Sequence, residues 1–533
     1  MTNKFLLPAV CAALWLIGCA SPKAALDALE KTPDPKTAFD AYGDFADNYK
    51  NDPESVRALF KRGEILEKDG KLTDAKIEYT RAIERNRTLE QKNERFATAS
   101  LYRLSNLLFE DYKNTMPDVV VPEGVFGQQP TRDAIRYSDA VAKKSDLKKT
   151  LGANIVELLR ELPKVGASAE EYAAVAQSAA ILSEDYGDGF AAIPKKLDTL
   201  TNESGKKIND AKRIVASAQA SVDAAAQYST AATDYLKLYE QYQEARADSL
   251  VSKNVLEVLR PVAEKSAMKT VEMRYKAGYA YEKAALMYLD AKAGASVKNA
   301  VIPASAETPV PVPIGDVSEL VYLSAINDRF TRPAIEQAMK FYRAGLKSAA
   351  DLGVMTENYA AMSEQGILEL SQMAARRADS LARQCLILFD STDAAYQTRL
   401  NSIQAVSLQD TVDLVAKAVK LKTLAEKYRE LISAAMSEYD KAFHALKEIT
   451  SPDASLSDTK ERAKKFASAM LAASSERQTR LNATAKKWLD VAKKNRKKRF
   501  YAGASSAYQT LAEQFAQSTE KLSDEMKKND VLK

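Results

Sequence analysis

The chain has 533 residues, which is too long for one compact core and predicts several domains or an extended array of repeats. Only 18 Gly and 17 Pro are spread along it, so helix is favoured almost everywhere. Charged residues of both signs are mixed, and the formal net charge is only +5, a field too weak to imply a nucleic-acid partner.

The first predicted element is an apolar run near the start. Lys4 supplies a positive end, and residues 5–17 are too short to span a bilayer as a finished helix, which takes about 20 apolar residues. We interpret residues 1–18 as a signal peptide. The sequence Leu-Ile-Gly-Cys that ends at Cys19 resembles the bacterial lipobox. That resemblance implies a lipid on Cys19 that anchors the chain in a membrane; the alternative is an ordinary signal peptide with an incidental cysteine.

The residue after this cysteine is Ala20 and not Asp. In the lipoprotein family, Asp at that position retains the protein in the inner membrane. The resemblance therefore implies an outer-membrane lipoprotein whose body faces the periplasm, with exposure at the cell surface left open. A Pro-containing tether is predicted over residues 19–36, and an acylated Cys19 leaves Cys385 without a disulfide partner in the processed chain.

Residues 55–86 carry the most specific pattern in the sequence. Gly63 and Ala75 stand where two helices would cross closely, and Gly70 suits a turn with positive φ. The order and spacing resemble a tetratricopeptide repeat (TPR) at Leu59, Gly63, Leu66, Gly70, Ala75, Tyr79 and Ala82. With the preceding helix, residues 38–86 also resemble the N-terminal repeats of periplasmic TPR lipoproteins that assist envelope assembly. These likenesses imply a helical hairpin that binds another protein.

The same pattern recurs further along the chain. In the helix that begins at Arg332, the residues Ala338, Tyr342 and Gly345 reproduce the spacing of Ala75, Tyr79 and Ala82. We therefore expect a TPR-like domain over residues 37–205 with a loop at 114–130. A second TPR-like hairpin is expected over residues 261–355, with a Pro-rich loop at 293–331.

Between the two domains, residues 206–260 carry a heptad stripe of small residues that predicts one long, coiled-coil-like helix. The alternative is two helices joined by a kink near Asp248 and Ser249. Residues 356–533 are again nearly all helix, with expected segments that include 357–389 and 392–405. The predicted fold class is all-α: a TPR-like helical-hairpin solenoid with long helices and a helical-bundle C-terminal part.

The tests for catalysis are negative. Ser266 and Lys269 fit S-x-x-K, but the companion motifs of penicillin-recognising enzymes are missing, so we interpret them as ordinary helix surface. The single His444 excludes sites built on paired His ligands, and its pairing with Cys385 finds no support. Acidic residues are scattered, which indicates no glycosidase pair. The expectation is no enzyme, no cofactor and no metal.

Two groups of residues are candidates for a binding surface. The first group is aromatic, and the second lies in a basic run that also holds Trp488. Their members are Tyr275, Tyr279, Tyr281, Lys493, Lys494, Arg496, Lys497, Lys498 and Arg499. The tyrosines suit a peptide groove, and the basic run suits anionic lipid or an acidic partner. For each group the alternative is plain helix packing or a solvated face.

The expected function is a lipid-anchored periplasmic scaffold or adaptor that binds another envelope protein, with no nucleic-acid partner. The alternative is a lipoprotein that binds or modifies cell-wall glycan. The sequence leaves the partner and the oligomeric state open.

The lipobox generates a direct prediction. Cys19→Ala removes the acceptor thiol, so palmitate labelling should be lost and the protein should leave the membrane or remain as an uncleaved precursor. Metabolic labelling with palmitate and cell fractionation measure this. Unchanged labelling of the variant would overturn the lipoprotein interpretation.

Overall fold

A computed structural model of the chain describes residues 21–31, 34–115, 132–197, 210–248, 253–290, 317–354, 357–402, 408–449, 453–494 and 498–532. Over these ranges the structure is helical and holds no β-strand. The predicted fold class, all-α with TPR-like helical hairpins, is confirmed.

Helices account for nearly all described residues. In chain order they are α1 (Pro22–Leu29), α2 (Pro35–Asn48), α3 (Glu54–Lys68), α4 (Leu72–Thr88), α5 (Glu94–Asn114), α6 (Arg132–Glu161), α7 (Ala169–Leu197), α8 (Asp210–Ala247), α9 (Lys253–Asp290), α10 (Val317–Ile326), α11 (Arg332–Leu352), α12 (Glu357–Ser402), α13 (Leu408–Glu448), α14 (Asp453–Lys494) and α15 (Lys498–Lys528). A π-helical turn (Asn327–Thr331) precedes α11, and a 3₁₀ turn (Asp530–Leu532) follows α15.

The chain divides into two compact units. Unit 1 takes its described residues from 1–121, 126–189 and 230–269, and unit 2 takes its own from 190–229 and 270–533. The three divisions after residues 189, 229 and 269 fall within α7, α8 and α9. The units therefore do not follow the boundaries expected after residues 205 and 260.

In unit 1, α3 and α4 form the predicted hairpin. Leu59, Ala75 and Ala82 are fully buried between the helices. A Cβ on Gly63 would lie 2.4 Å from the ring of Tyr79, so only glycine permits this crossing distance. Gly70 has φ +74° and ends α3, as expected for a left-handed turn. The repeat-packing residues of this segment thus all lie where the sequence pattern places them, with Leu66 also buried.

The tether expected over residues 19–36 is wrong for its described part, which contains helix α1. Ser21 caps it, because its hydroxyl accepts a hydrogen bond from the Ala24 amide at 3.4 Å. Pro22 follows at the first helical position, where its missing amide costs nothing. Leu26 is fully buried in the core of unit 1, and Arg57 of α3 pairs with Asp27 at 2.8 Å. The apolar stripe and the N-cap stabilise a helix in this segment, although its proline content suggested a tether.

Unit 2 repeats the close crossing with different helices. A Cβ on Gly278 of α9 would lie 2.6 Å from the ring of Tyr342 on α11, and one on Gly366 of α12 would lie 2.4 Å away. Ala338 and Gly345 are buried on the same helix, as the spacing predicts. Tyr342 is therefore held between glycines of two neighbouring helices.

A hydrogen bond accompanies each crossing. The Tyr79 hydroxyl donates to Glu67 at 2.7 Å, and the Tyr342 hydroxyl donates to Glu282. Each glutamate stands four residues after the crossing glycine, on the same helix face. We call this arrangement of glycine, tyrosine and glutamate the tyrosine lock. Burial raises the pKa of both tyrosines, so the hydroxyls remain protonated donors.

The Pro-rich loop expected over residues 293–331 is wrong at its end. Residues 291–316 lie outside the described ranges, but helix α10 and the π-helical turn occupy 317–331. Leu320 and Leu323 explain the helix, since both are buried in the core of unit 2. The loop expected at 114–130 lies outside the described ranges apart from the end of α5 and Thr115.

Residues 206–260 do not form one helix. Helix α8 ends at Ala247 and α9 begins at Lys253. This agrees with the alternative prediction of two helices that are joined near Asp248. Helix α9 then continues through Pro261. The proline removes one intrahelical hydrogen bond without ending the helix.

The C-terminal part is a bundle of α12, α13, α14 and α15. Helix α12 runs without interruption where the sequence suggested a break after Phe389. The ring of Phe389 packs against Phe515 of α15 with centroids 4.9 Å apart, in a fully buried core. Below this pair, the buried carboxylate of Asp393 accepts a hydrogen bond from Tyr508 at 2.8 Å and lies 3.5 Å from Arg480. These partners offset the cost of burying the Asp393 carboxylate inside the bundle.

The crossing at Gly63 predicts a stability change. Gly63→Leu places a branched side chain against the Tyr79 ring and should destabilise unit 1 by about 1–3 kcal/mol. The matched control is Gly152→Ala, because a Cβ there meets nothing within 4 Å; helix propensity should raise stability by about 0.5–1 kcal/mol. Thermal unfolding followed by circular dichroism measures both, and an unaltered melting curve for Gly63→Leu would contradict the close crossing.

The lock in unit 2 predicts a pH dependence. Burial raises the pKa of Glu282 and nearby Glu369 adds to this, whereas the Tyr342 hydrogen bond and Lys283 oppose it. The folded chain thus binds this proton more tightly than the unfolded chain, and stability falls as pH rises through the folded pKa. Glu282→Gln has no carboxyl group at this position and therefore escapes that loss of stability. The melting temperature of the variant minus that of the unaltered protein should therefore be larger at pH 7 than at pH 4.

The control is Glu67→Gln, whose carboxylate accepts the same hydrogen bond at a more exposed position, with 27% of its side chain accessible. Measured at pH 7, this variant shows what replacing the carboxylate acceptor by an amide does to a tyrosine lock. If Glu282→Gln raises the melting temperature more at pH 4 than at pH 7, burial does not raise the pKa of Glu282.

Candidate functional site

A groove in unit 1 is a concave surface that the described residues offer to a ligand. Its volume is about 670 Å³, within the range of binding sites for small molecules and short segments. We call it the α4–α6 groove, because α4, α5 and α6 line it. The lining residues are Thr73, Lys76, Ile77, Thr80, Arg81, Ile83, Glu84, Arg87, Leu101, Leu104, Leu108, Thr150 and Asn154.

The groove arises because α4 has apolar residues on two faces. One face carries Ala75 and Tyr79 and packs into the hairpin with α3. The other face carries Ile83, which is buried, and Ile77, whose side chain is 53% exposed. Leu101 of α5 is buried beneath the groove, where it packs in one cluster with Ile83. The floor is therefore apolar and one isoleucine is left partly open to solvent.

Ion pairs surround this floor. Lys76 pairs with Asp111 of α5, and Arg87 pairs with Glu157 of α6 at 3.0 Å. Arg81 pairs with Glu78 of its own helix, also at 3.0 Å. Since the rim cations all have acidic partners, the groove has no strong charge of one sign, and its attraction for a ligand comes from the apolar floor.

One buried hydrogen-bond donor of a lining residue has no partner among the described residues. The side-chain amide nitrogen of Asn154 is buried and has no hydrogen-bond partner among the described residues. Asn154 lines the groove from α6. A buried donor of this kind costs free energy unless a ligand or water accepts its hydrogen bond.

The groove continues into a polar extension of about 490 Å³. The two share Ile83, Arg87 and Leu101, and the extension adds charged residues from the α4–α5 connection, α5, α6 and the turn after α6. Within it, hydrogen bonds from Arg160 and then Lys164 hold the pKa of Glu161 below its usual value. A ligand that fills both parts would meet an apolar segment and then a charged one.

The predicted tyrosine surface is only partly accessible. Tyr275 is buried and packs against Tyr342 with centroids 5.8 Å apart, so the packing alternative describes it. Tyr279 is 42% exposed, stacks on Tyr275 at 6.0 Å and has Lys283 over its ring. Tyr281 is half-buried and stacks on Phe341. These side chains form a packed aromatic layer, and only Tyr279 offers much surface.

The basic run is described in part. Lys493, Lys494 and Arg499 are exposed, whereas Arg496 and Lys497 lie outside the described residues and only the backbone of Lys498 is described. Trp488 is buried and stacks on Tyr501, with centroids 5.4 Å apart and planes 1° from parallel. The tryptophan therefore packs between α14 and α15, as the alternative reading of this run expected.

The residues tested for catalysis are placed as follows. Ser266 is fully buried, so its interpretation as helix surface is wrong; Lys269 pairs with Glu184 at 2.8 Å. Cys385 is buried and burial raises the pKa of its thiol to about 12, which makes it a poor nucleophile. His444 lies 3.6 Å from carboxylates of Asp440 and Asp530.

In the described ranges, no cluster of His, Cys, Asp or Glu side chains has the arrangement of a metal site. None of the described helices combines the length and apolar character that crossing a bilayer requires. Cys19 lies outside the described part of the chain. No family model matches the sequence, and no curated protein matches it.

Sequence reasoning missed the α4–α6 groove. Ile77 is the signal that could have revealed it, because an isoleucine in the middle of α4 has no place on the face that carries Ala75, Tyr79 and Ala82. Asn154 carried no such signal, since its burial depends on contacts between helices distant in sequence.

Proposed function

We propose that this protein is a lipid-anchored periplasmic adaptor that binds a segment of another envelope protein in the α4–α6 groove and performs no chemical step of its own. The observation that carries the proposal is an apolar groove next to a TPR-like hairpin, with a partly exposed Ile77 and a buried donor at Asn154. Helical repeats of this kind use their surfaces to bind extended or helical peptides.

The groove chemistry indicates the nature of the segment. Leucines and isoleucines of the floor favour an apolar side of a helix or strand, because burial of apolar area supplies the main driving force. Asn154 favours a segment that presents a carbonyl or carboxylate oxygen to its amide. The charged extension favours a segment whose apolar part is followed by charged residues of both signs.

The lipid anchor gives the adaptor its location. A lipid on Cys19 would hold the groove within reach of the outer membrane, and this raises the effective concentration of any partner in that membrane. Stable anchoring requires more than one acyl chain, which the lipobox resemblance implies.

The test places a photocrosslinking amino acid at Thr80 in the full-length protein in living cells. A crosslink to an envelope protein is expected, and Ile77→Glu should abolish it because the substitution puts a charge on the apolar floor. Ile77 is 53% exposed, so the fold should tolerate the change. With the identified partner purified, Ile77→Glu should weaken binding at least about tenfold, or 1.4 kcal/mol.

The matched control is Leu286→Glu, an exposed apolar position of unit 2 that is 41% accessible. It should leave both the crosslink and the affinity unchanged. Equal loss in the two variants, no protein crosslink at Thr80, or release of soluble fragments from peptidoglycan by the purified protein would contradict the adaptor proposal.

A further inference from the structure

We propose that unit 1 contains a second binding site, a slot between α6, α7 and α8 that takes a single-chain amphiphile with an anionic head, of which a fatty acid is the simplest example. The slot has a volume of about 330 Å³. It shares helix α6 with the α4–α6 groove but has no lining residue in common with it. The proposal therefore does not depend on the proposed adaptor function.

The walls of the slot are apolar. Ile155 and Leu182 are buried from α6 and α7, and Leu238 of α8 is 9% exposed. Val156, at 70% exposure, is among the most exposed large apolar side chains of the described residues and lines the same slot. Gly152 leaves open space, since a Cβ there would meet no atom within 4 Å. An apolar chain in this space would cover Val156 and fill the volume above the glycine.

The slot extends along α8. Leu238 and Gln241 line both this slot and a neighbouring cavity of about 460 Å³ between α7, α8 and α9, which also lies in unit 1. The two cavities share these lining residues, and each volume lies within the range of small-molecule sites. A mainly apolar space of this size suits one flexible chain, and the charged lining residues mark one end of it, where Lys148 and Asp234 interact.

The charges at that end favour an anion. The lining includes Lys148 of α6, together with Asp234 and Lys237 of α8, so cations outnumber the acid. Lys148 lies 4.1 Å from the ring centroid of Tyr186 on α7, a contact that holds its ammonium at the edge of the apolar wall. A carboxylate there would add a charge-assisted hydrogen bond at low local dielectric.

Burial lowers the pKa of Lys148 to about 8, although nearby Asp234 opposes this change. The groups that face it are Tyr186 of α7 and Asp234 and Lys237 of α8. Below this pKa the side chain is a cation, and above it the amine is neutral. Binding of a carboxylate should therefore weaken as pH rises from 7 to 9, whereas an alcohol of the same chain length should bind equally at both.

The experiment uses the full-length protein in phosphatidylcholine nanodiscs and a myristic acid that carries a photoactivatable diazirine. We expect label in the tryptic peptide 150–160, which contains Gly152, Ile155 and Val156. Labelling should be lower at pH 9 than at pH 7. Unlabelled myristic acid should compete for this label.

Gly152→Leu fills the slot and should reduce labelling at least about tenfold. Gly152→Ala, which leaves most of the space open, should remain within about twofold of the unaltered protein. Should Gly152→Leu fail to fold, Val156→Asp provides a second variant: the position is exposed, and its carboxylate puts a charge against the apolar chain.

The inference is overturned if peptide 150–160 carries no label, if neither variant reduces labelling, or if a quaternary-ammonium amphiphile of equal length labels it as well as the fatty acid. Each of these results leaves the α4–α6 groove, and therefore the adaptor proposal, to be judged by its own crosslinking test.

Discussion

The two tyrosine locks fix how closely neighbouring helices approach in each unit. At Gly63 and at Gly278 the absence of a single methyl group allows a tyrosine ring to lie directly on the helix backbone. The hydroxyl then reaches a glutamate one turn further along the same helix, so the ring cannot slide without breaking a hydrogen bond to a carboxylate. Packing and polar pairing therefore define one register, and the other helices of each unit are arranged around it.

The candidate groove follows from that register. The lock occupies one face of α4. Ile77 and Ile83 lie on its other face and therefore pack away from the hairpin, on the side of α5 and α6. There α5 supplies leucines but α6 does not close over them, and a concave apolar surface remains. The surface that we propose for partner binding is thus a direct result of a helix with two apolar faces.

The local features could be predicted from the sequence, but the contacts between distant segments could not. Gly63 and Gly70 sit in one short pattern, and the structure has a close crossing at the first and a turn with positive φ at the second. The partner of Tyr342 on its other side, Gly366, lies on a helix for which no repeat pattern was visible. Helix α1 was missed because proline content was given more weight than the cap at Ser21, and the burial of Ser266 depended on neighbours that its own helix does not reveal.

The stacked pair at the end of the C-terminal bundle has an optical consequence. The chain contains 2 Trp, and one of them, Trp15, falls in the proposed signal peptide. A processed chain would then emit indole fluorescence from Trp488 alone, a side chain that is shielded from water and stacked on Tyr501. Its emission wavelength would report separation of α14 from α15 without any attached dye, and it would be silent about events confined to unit 1.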